Sequence, residues 1–282
     1  MLEPHQVYAN FRKRKPKNNK VPGDMPPKIK KEFYVEIAEP VTKIFNSILQ
    51  SGIYPKQWLV EYVTPIKKTK LAETEDDLRP ISLTSDLSRD FNKFLAEWLL
   101  SYIKDKLDTA QMGGLKGKSI THYLVLFYHF IVSNLDRQGP NPSSILAAYI
   151  DFKKGFNLIS HSLIITRLAE WNVPSWLLRI VASYLTGRYM IVRHNGAQSS
   201  PHLLPDGLAH GDEVGQILFL VAVAGAGIAN QPPAALPSPS PPLPPPAITK
   251  DELRLKFVDD LTLGEVVNLK HQLAPAPPYD WP

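Results

Sequence analysis

Apolar residues along the chain alternate between helical and strand spacing. Phe33, Ile37, Val41, Ile44, Phe45, Ile48 and Leu49 recur three and four positions apart, which puts them on one face of a helix over 33–50. Pro40 predicts a kink or restart within it, and Gly52 a stop. Tyr62 to Ile66 predicts a short strand, with Lys67 and Lys68 at its end. Leu87, Phe91, Phe94, Leu95, Trp98, Leu99 and Tyr102 form a second helical stripe. Thr84, Ser85 and Asp86 offer capping oxygens at its start. A third helix is predicted over 119–135, turning Tyr123, Leu124, Phe127, Phe130 and Ile131 inward. The Gly-Pro-Asn-Pro turn at 139–142 closes that stretch.

Ser144 to Phe152 is short, apolar and bounded by turn residues, the signature of a buried strand, and Asp151 stands at its C-terminal end. Helical spacing resumes at 161–170 and 174–186, with Pro174 suited to a first turn. Arg188 to Arg193 predicts a strand, and Asn195-Gly196 a two-residue hairpin turn. Residues 217–228 are apolar and rich in Ala and Gly. Nine prolines in 231–247 exclude regular helix and central sheet there and predict polyproline II or disorder. That tract reads either as a passive linker or as a ligand for a proline-binding module. Leu253 to Leu263 alternates and holds Asp259-Asp260 in a predicted hairpin.

Composition narrows the class. The chain has 282 residues, 44% hydrophobic and 21% charged, with formal net charge +5. That is a globular chain with a mild preference for polyanions. Residues 1–32 concentrate Arg12, Lys13, Arg14, Lys15, Lys17 and Lys20, either a solvated flexible arm or a nuclear-import or nucleic-acid patch. The absence of cysteine excludes disulfides, thiolate zinc and a cysteine nucleophile. No apolar run is long enough to span a membrane and no signal-peptide core is present, so an intracellular protein, cytoplasmic or nuclear, is expected.

Three acids fall where burial is expected: Asp151 after an apolar strand, and Asp259 and Asp260 inside LRLKFVDDLTL. A carboxylate among apolar neighbours is costly unless paired or bound to a metal. Magnesium takes hard oxygen ligands and often only one or two protein carboxylates. Two such ions can stabilise the attacking and leaving oxygens of phosphoryl transfer. An Asp-Asp pair is also a common turn, so the acids alone leave both readings open.

The segments around these acids resemble the reverse transcriptases of non-LTR (LINE-like) retrotransposons. Six words carry the resemblance in order: LRPISLTS (78–85), QMGGLKGKS (111–119), DFKKGFN (151–157), SYLTGR (183–188), GLAHGDEVGQILF (207–219) and FVDD (257–260). His161 also sits where that family often has a histidine. The resemblance implies an α+β right-hand polymerase with an antiparallel palm sheet backed by helices. Residues 1–32 would form a basic arm and 33–135 a fingers-like helical region. Residues 136–222 and 248–268 would form the palm, 223–247 a low-complexity linker and 269–282 a tail. With 22 residues after Asp260, the thumb is expected to be missing.

By the same resemblance, Asp151, Asp259 and Asp260 would be catalytic and would hold two Mg²⁺ ions, or Mn²⁺, with the main-chain carbonyl of Phe152. Lys67, interchangeable here with Lys68, and Arg79 would grip a deoxynucleoside triphosphate. Phe156 would gate the sugar, and Gly211 would allow close backbone approach. Lys116, Lys118, Arg188 and Arg193 would contact phosphates of an RNA template and DNA primer. The chain departs from the family pattern at Ala209-His210, Gln216, Gly155, Asn157 and the proline tract. The expected function is an RNA-directed DNA polymerase domain. The alternatives are a non-catalytic nucleic-acid-binding remnant and an interaction protein acting through its prolines.

Overall fold

The computed structural model describes residues 1–13, 21, 24–68, 74, 77–136, 143–152, 155–209, 211–224, 248–249, 251–258 and 260–268. Arg14, Lys15, Lys17, Lys20, the turn at 139–142, His210, the proline tract, Asp259 and the 269–282 tail lie outside them. In chain order the elements are α1 (Pro4–Lys13), α2 (Pro27–Glu32), α3 (Tyr34–Ser51), a 3₁₀ turn (Lys56–Leu59), β1 (Val60–Lys67), β2 (Leu78–Leu83), α4 (Asp86–Ile103), α5 (Ile120–Leu135) and β3 (Ser143–Ile150). They continue as α6 (Gly155–Leu158), α7 (His161–Glu170), α8 (Ser175–Leu185), β4 (Arg188–His194), β5 (Ala197–Gln198), β6 (His202–Leu204), α9 (Glu213–Val223), β7 (Glu252–Phe257) and β8 (Asp260–Asn268). The class is mixed α+β. Among the described residues no helix is long and apolar enough to cross a membrane.

The chain forms two compact units, Met1–Asp105 with Lys154–Ala222, and Lys106–Lys153 with Val223–Pro282. This division cuts across the regions expected from sequence. Residues 155–222 join the N-terminal helices because β4 pairs in parallel with β1, Tyr62 opposite Ile191, and Tyr184 of α8 packs edge-on against Tyr54 at 5.3 Å. Helix α5 instead packs on the sheet of the second unit, where Phe130 meets Leu253, Leu255 and Met112.

In the first unit, strands run β2-β1-β4-β5, with β6 also on β4. Ser85 caps α4 by accepting the Ser88 N–H. The α4 face of Phe91, Phe94, Leu95 and Leu99 is buried, and Phe91 packs 5.3 Å from Phe45 of α3. Helix α3 runs unbroken through Pro40 and stops at left-handed Gly52. Its buried face is Ala38, Val41, Thr42, Phe45 and Ile48; Ile44, expected inside, is exposed, because the buried arc is set by 38, 41, 45 and 48. Pro174 is the residue before α8 rather than part of its first turn. Asn195 and Gly196 both take positive φ, 47° and 82°, as a tight hairpin turn requires. Residues 217–223, read only as apolar, complete α9.

The flexible-arm expectation for 1–32 is corrected for its described residues, 1–13, 21 and 24–32. Helix α1 buries Val7, Asn10 and Phe11, and Lys30 is sealed against Asp90 at 2.6 Å and against Asp86. Apolar spacing in α1 and a buried counter-charge for Lys30 explain why α1 and α2 pack into the unit.

The second unit is an antiparallel sheet, β3-β8-β7, backed by α5, which Ser119 caps through the His122 N–H. Here too an expectation fails. Strand β3 is not buried: Leu146 is 64% exposed and Tyr149 70%, and among the described residues β3 is an edge strand paired with β8. On α5, Leu124 also faces outward.

Candidate active site

The antiparallel register brings two of the three acids together. Ile150 is opposite Leu261, so Asp151, one residue on, reaches the level of Asp260, which itself pairs with Phe257 across the β7–β8 hairpin. Asp151 and Asp260 line one pocket of about 240 Å³, with Tyr123, Tyr149, Phe257 and Thr262 among its walls. The Tyr123 hydroxyl hydrogen-bonds the Thr262 hydroxyl, which fastens α5 to the strand carrying Asp260. Both acids are exposed. Costly burial therefore does not mark these acids; what distinguishes them is convergence. Among the described residues, which exclude Asp259, no group of three or more His, Cys, Asp or Glu gathers as a metal site. Phe152 directly follows Asp151 and is half-buried.

The remaining candidates divide. Lys67, Lys68 and Arg79 are exposed at the end of the β1–β2 pair where the chain crosses from β1 to β2, with Arg79 opposite Ile66. Lys116 is exposed, and so is Gly211, with φ 80° just before α9. Phe156 stacks face to face on Phe219, 4.2 Å and 4° apart, so one ring face is committed to packing. Lys118 spends its ammonium on its own loop, donating to the Thr109 and Gln111 carbonyls at 3.1 and 2.8 Å, and burial pulls its pKa down. Arg193 lies over the Tyr62 ring at 3.9 Å.

Arg188 is a correction. Its guanidinium is buried, donates to Glu61 at 2.8 Å and lies over the Tyr184 ring. It cannot reach a phosphate, because leaving the pair would strand a buried Glu61. His161 also acts internally: its Nε2–H donates to the Gly207 carbonyl at 2.7 Å, and its backbone N–H to Asp206. Gly207, at φ 87°, tolerates no side chain, since a Cβ would meet the Asn157 carbonyl at 2.7 Å.

Sequence reading missed the polar centre of the first unit. Asp212, just before α9, accepts from the Tyr184 hydroxyl and the Asn92 amide, both at 2.8 Å, and from Val214 N–H. Asn92 in turn accepts from the Tyr54 hydroxyl. The signal available was Asn92 on the apolar face of α4. Burial is the largest influence on Asp212 and raises its pKa, against the opposing Tyr184 bond and Arg188 charge. Burial likewise raises Glu61, with Arg188 opposing. Both groups therefore hold protons when folded that the unfolded chain has released just above the ordinary carboxylate range. The folded state binds more protons in that window, so stability falls as pH rises through it. Urea denaturation from about pH 4 to 7 should show this decline flattened in Asp212→Asn; an unchanged slope would contradict the assignment.

The reverse transcriptase (RNA-dependent DNA polymerase) family profile matches residues 66–265, from the end of β1 through both acid-bearing strands. The chain belongs to the reverse transcriptase family. It is a reverse transcriptase domain of the non-LTR retrotransposon type, similar to three Drosophila melanogaster proteins. It is 28% identical over 185 residues to the probable RNA-directed DNA polymerase from transposon BS, covering 64% of this chain and 20% of that protein. Over 181 residues it is 25% identical to the RNA-directed DNA polymerase from mobile element jockey, covering 63% and 19%. It is also 28% identical over 177 residues to the retrovirus-related Pol polyprotein from type-2 retrotransposable element R2DM, covering 63% and 16%. The reverse transcriptase domain thus spans about a fifth of the length of the curated relatives it matches.

Proposed function

We propose that this reverse transcriptase domain performs RNA-directed DNA synthesis, with Asp151, Asp259 and Asp260 as its catalytic acids. The observation that carries the reading is the convergence of Asp151 and Asp260, from two paired strands, on one pocket. Both side chains are exposed, which suits Mg²⁺ or Mn²⁺, since such ions keep waters and take further oxygens from substrate phosphates. Asp151, Asp260, the adjacent Asp259 and the Phe152 carbonyl would hold the ions. Bound there, paired divalent cations would ease the charge on the attacking and departing oxygens of nucleotidyl transfer.

The protein's own groups would do the positioning. The palm-like role falls to the β3-β8-β7 sheet, which keeps the acids in register. The fingers-like role falls to β1–β2, where exposed Lys67 and Arg79 suit the triphosphate of a deoxynucleotide; charge-assisted contacts of that kind orient it for in-line attack. Phe156 would gate the sugar only with the ring face turned away from Phe219. Gly211 and Lys116 remain candidates for backbone and phosphate approach along an RNA template and DNA primer.

The internal bonds of Arg188 and Lys118 remove two phosphate contacts from the polymerase reading and from that of a merely nucleic-acid-binding remnant alike; what favours the polymerase is the convergence of Asp151 and Asp260. Primer extension on an RNA template with purified protein, Mg²⁺ and deoxynucleotides tests the proposal. Extension that survives replacement of Asp151 or Asp259 would refute it.

A further inference from the structure

The turn between β7 and β8 contains a residue in the wrong place by ordinary rules. Phe257 pairs with Asp260, leaving two positions between the strands, of which Val258 is the first. The tight turns that close such hairpins need positive φ at their first central residue, a place normally given to Gly, Asn or Asp. Val258 takes φ 60°, although a β-branched side chain disfavours that region. Such strain persists only where surrounding contacts over-determine it.

Those contacts come from one side chain 147 positions away. Gln111 Oε1 accepts the Val258 N–H at 3.0 Å, and Gln111 Nε2 donates to the Val258 carbonyl at 3.3 Å. Oε1 also accepts the Gly113 N–H at 3.0 Å. Two N–H groups on one side and a carbonyl on the other fix the amide's orientation, since the flipped amide would satisfy none of them. Gln111 is buried and is backed by Lys118, which donates to its carbonyl.

The adjoining backbone is fastened along β7 as well. Met112 N–H donates to the Lys256 carbonyl at 2.8 Å, and Lys256 N–H to that of Ala110 at 2.9 Å. Gly113 lies so close that a Cβ there would meet the Val258 nitrogen at 2.7 Å and its Cγ2 at 2.8 Å. The 110–113 segment is thus fitted to the turn by hydrogen bonds and by the absence of a side chain.

We infer that Gln111 is a positioning residue: by clamping both polar groups of Val258 it holds the turn that leads into β8, whose first residue, Asp260, shares a pocket with Asp151. The inference rests on the polymerase reading for its consequence, though not for the clamp itself. Two readouts separate these. Hydrogen exchange at Val258 reports the clamp. In Gln111→Ala it should quicken at least about tenfold while exchange in α5 stays unchanged; unaltered exchange at Val258 overturns the inference. Mn²⁺ affinity, followed by electron paramagnetic resonance, reports the consequence. Gln111→Ala should weaken it roughly tenfold, the usual scale for a group that orients metal ligands.

Val258→Gly is the decisive background, because glycine takes positive φ unaided. There, adding Gln111→Ala should change Mn²⁺ affinity less than about twofold. An equal loss in both backgrounds would mean a general structural role and overturn the positioning claim. Wild-type protein that binds no Mn²⁺ would overturn the polymerase reading, with the exchange data still deciding the clamp.

Discussion

Asp151→Asn is expected to reduce primer extension by on the order of 10²–10³-fold, the scale seen when one preorganised charge-stabilising group is removed from an active site. The substitution keeps the side chain's shape and removes its charge. Asp151 is exposed at the end of an edge strand, so stability should stay within about 0.5 kcal/mol. Parallel measurements of extension rate and thermal midpoint check both halves. Equal loss of fold and activity would mean that Asp151 is structural. Full activity would remove it from the chemistry.

Arg188→Ala is expected to do the opposite, and to destabilise the first unit by about 3–5 kcal/mol. The change strands Glu61, which is only 6% exposed and has Arg188 as its ion-pair partner at 2.8 Å. It also removes the cation over Tyr184. Replacing both partners together, Arg188→Met with Glu61→Leu, should recover part of the loss, because Glu61 is no longer stranded, while Asp212 still loses the Arg188 charge. Urea denaturation measures each variant. If Arg188 instead contacted nucleic acid, its removal would leave stability untouched and lower the salt dependence of binding by about one phosphate.

Arg188 also shows where sequence stops informing. Its place in SYLTGR marks it as a motif residue, yet the motif does not say whether its partner is a phosphate or a carboxylate. Glu61 lies 127 positions away, and only the parallel pairing of β1 with β4 brings them together. Local signals were legible where the physics is local. Ser85 caps the helix that follows it, and Asn195-Gly196 turns the predicted hairpin.

Burial was less legible. An apolar run such as Ser144 to Phe152 reads as a buried strand, but whether a strand is central or at an edge depends on neighbours the run does not specify. Among the described residues β3 proved to be an edge, with Tyr149 and Asp151 exposed. The acids of the candidate site were visible because they sit in recognisable words. The amide of Gln111 was not, since nothing local distinguishes a clamp on Val258 from any other loop glutamine.

The most direct test of the account is the position of a divalent cation. Crystals of the protein soaked in Mn²⁺ with primer–template and a deoxynucleotide should give an anomalous peak within ligand distance, roughly 2.0–2.2 Å, of carboxylate oxygens from both Asp151 and the Asp259-Asp260 pair. A peak served by only one strand's acids, or no peak at that pocket while the cation binds elsewhere on the chain, would contradict it.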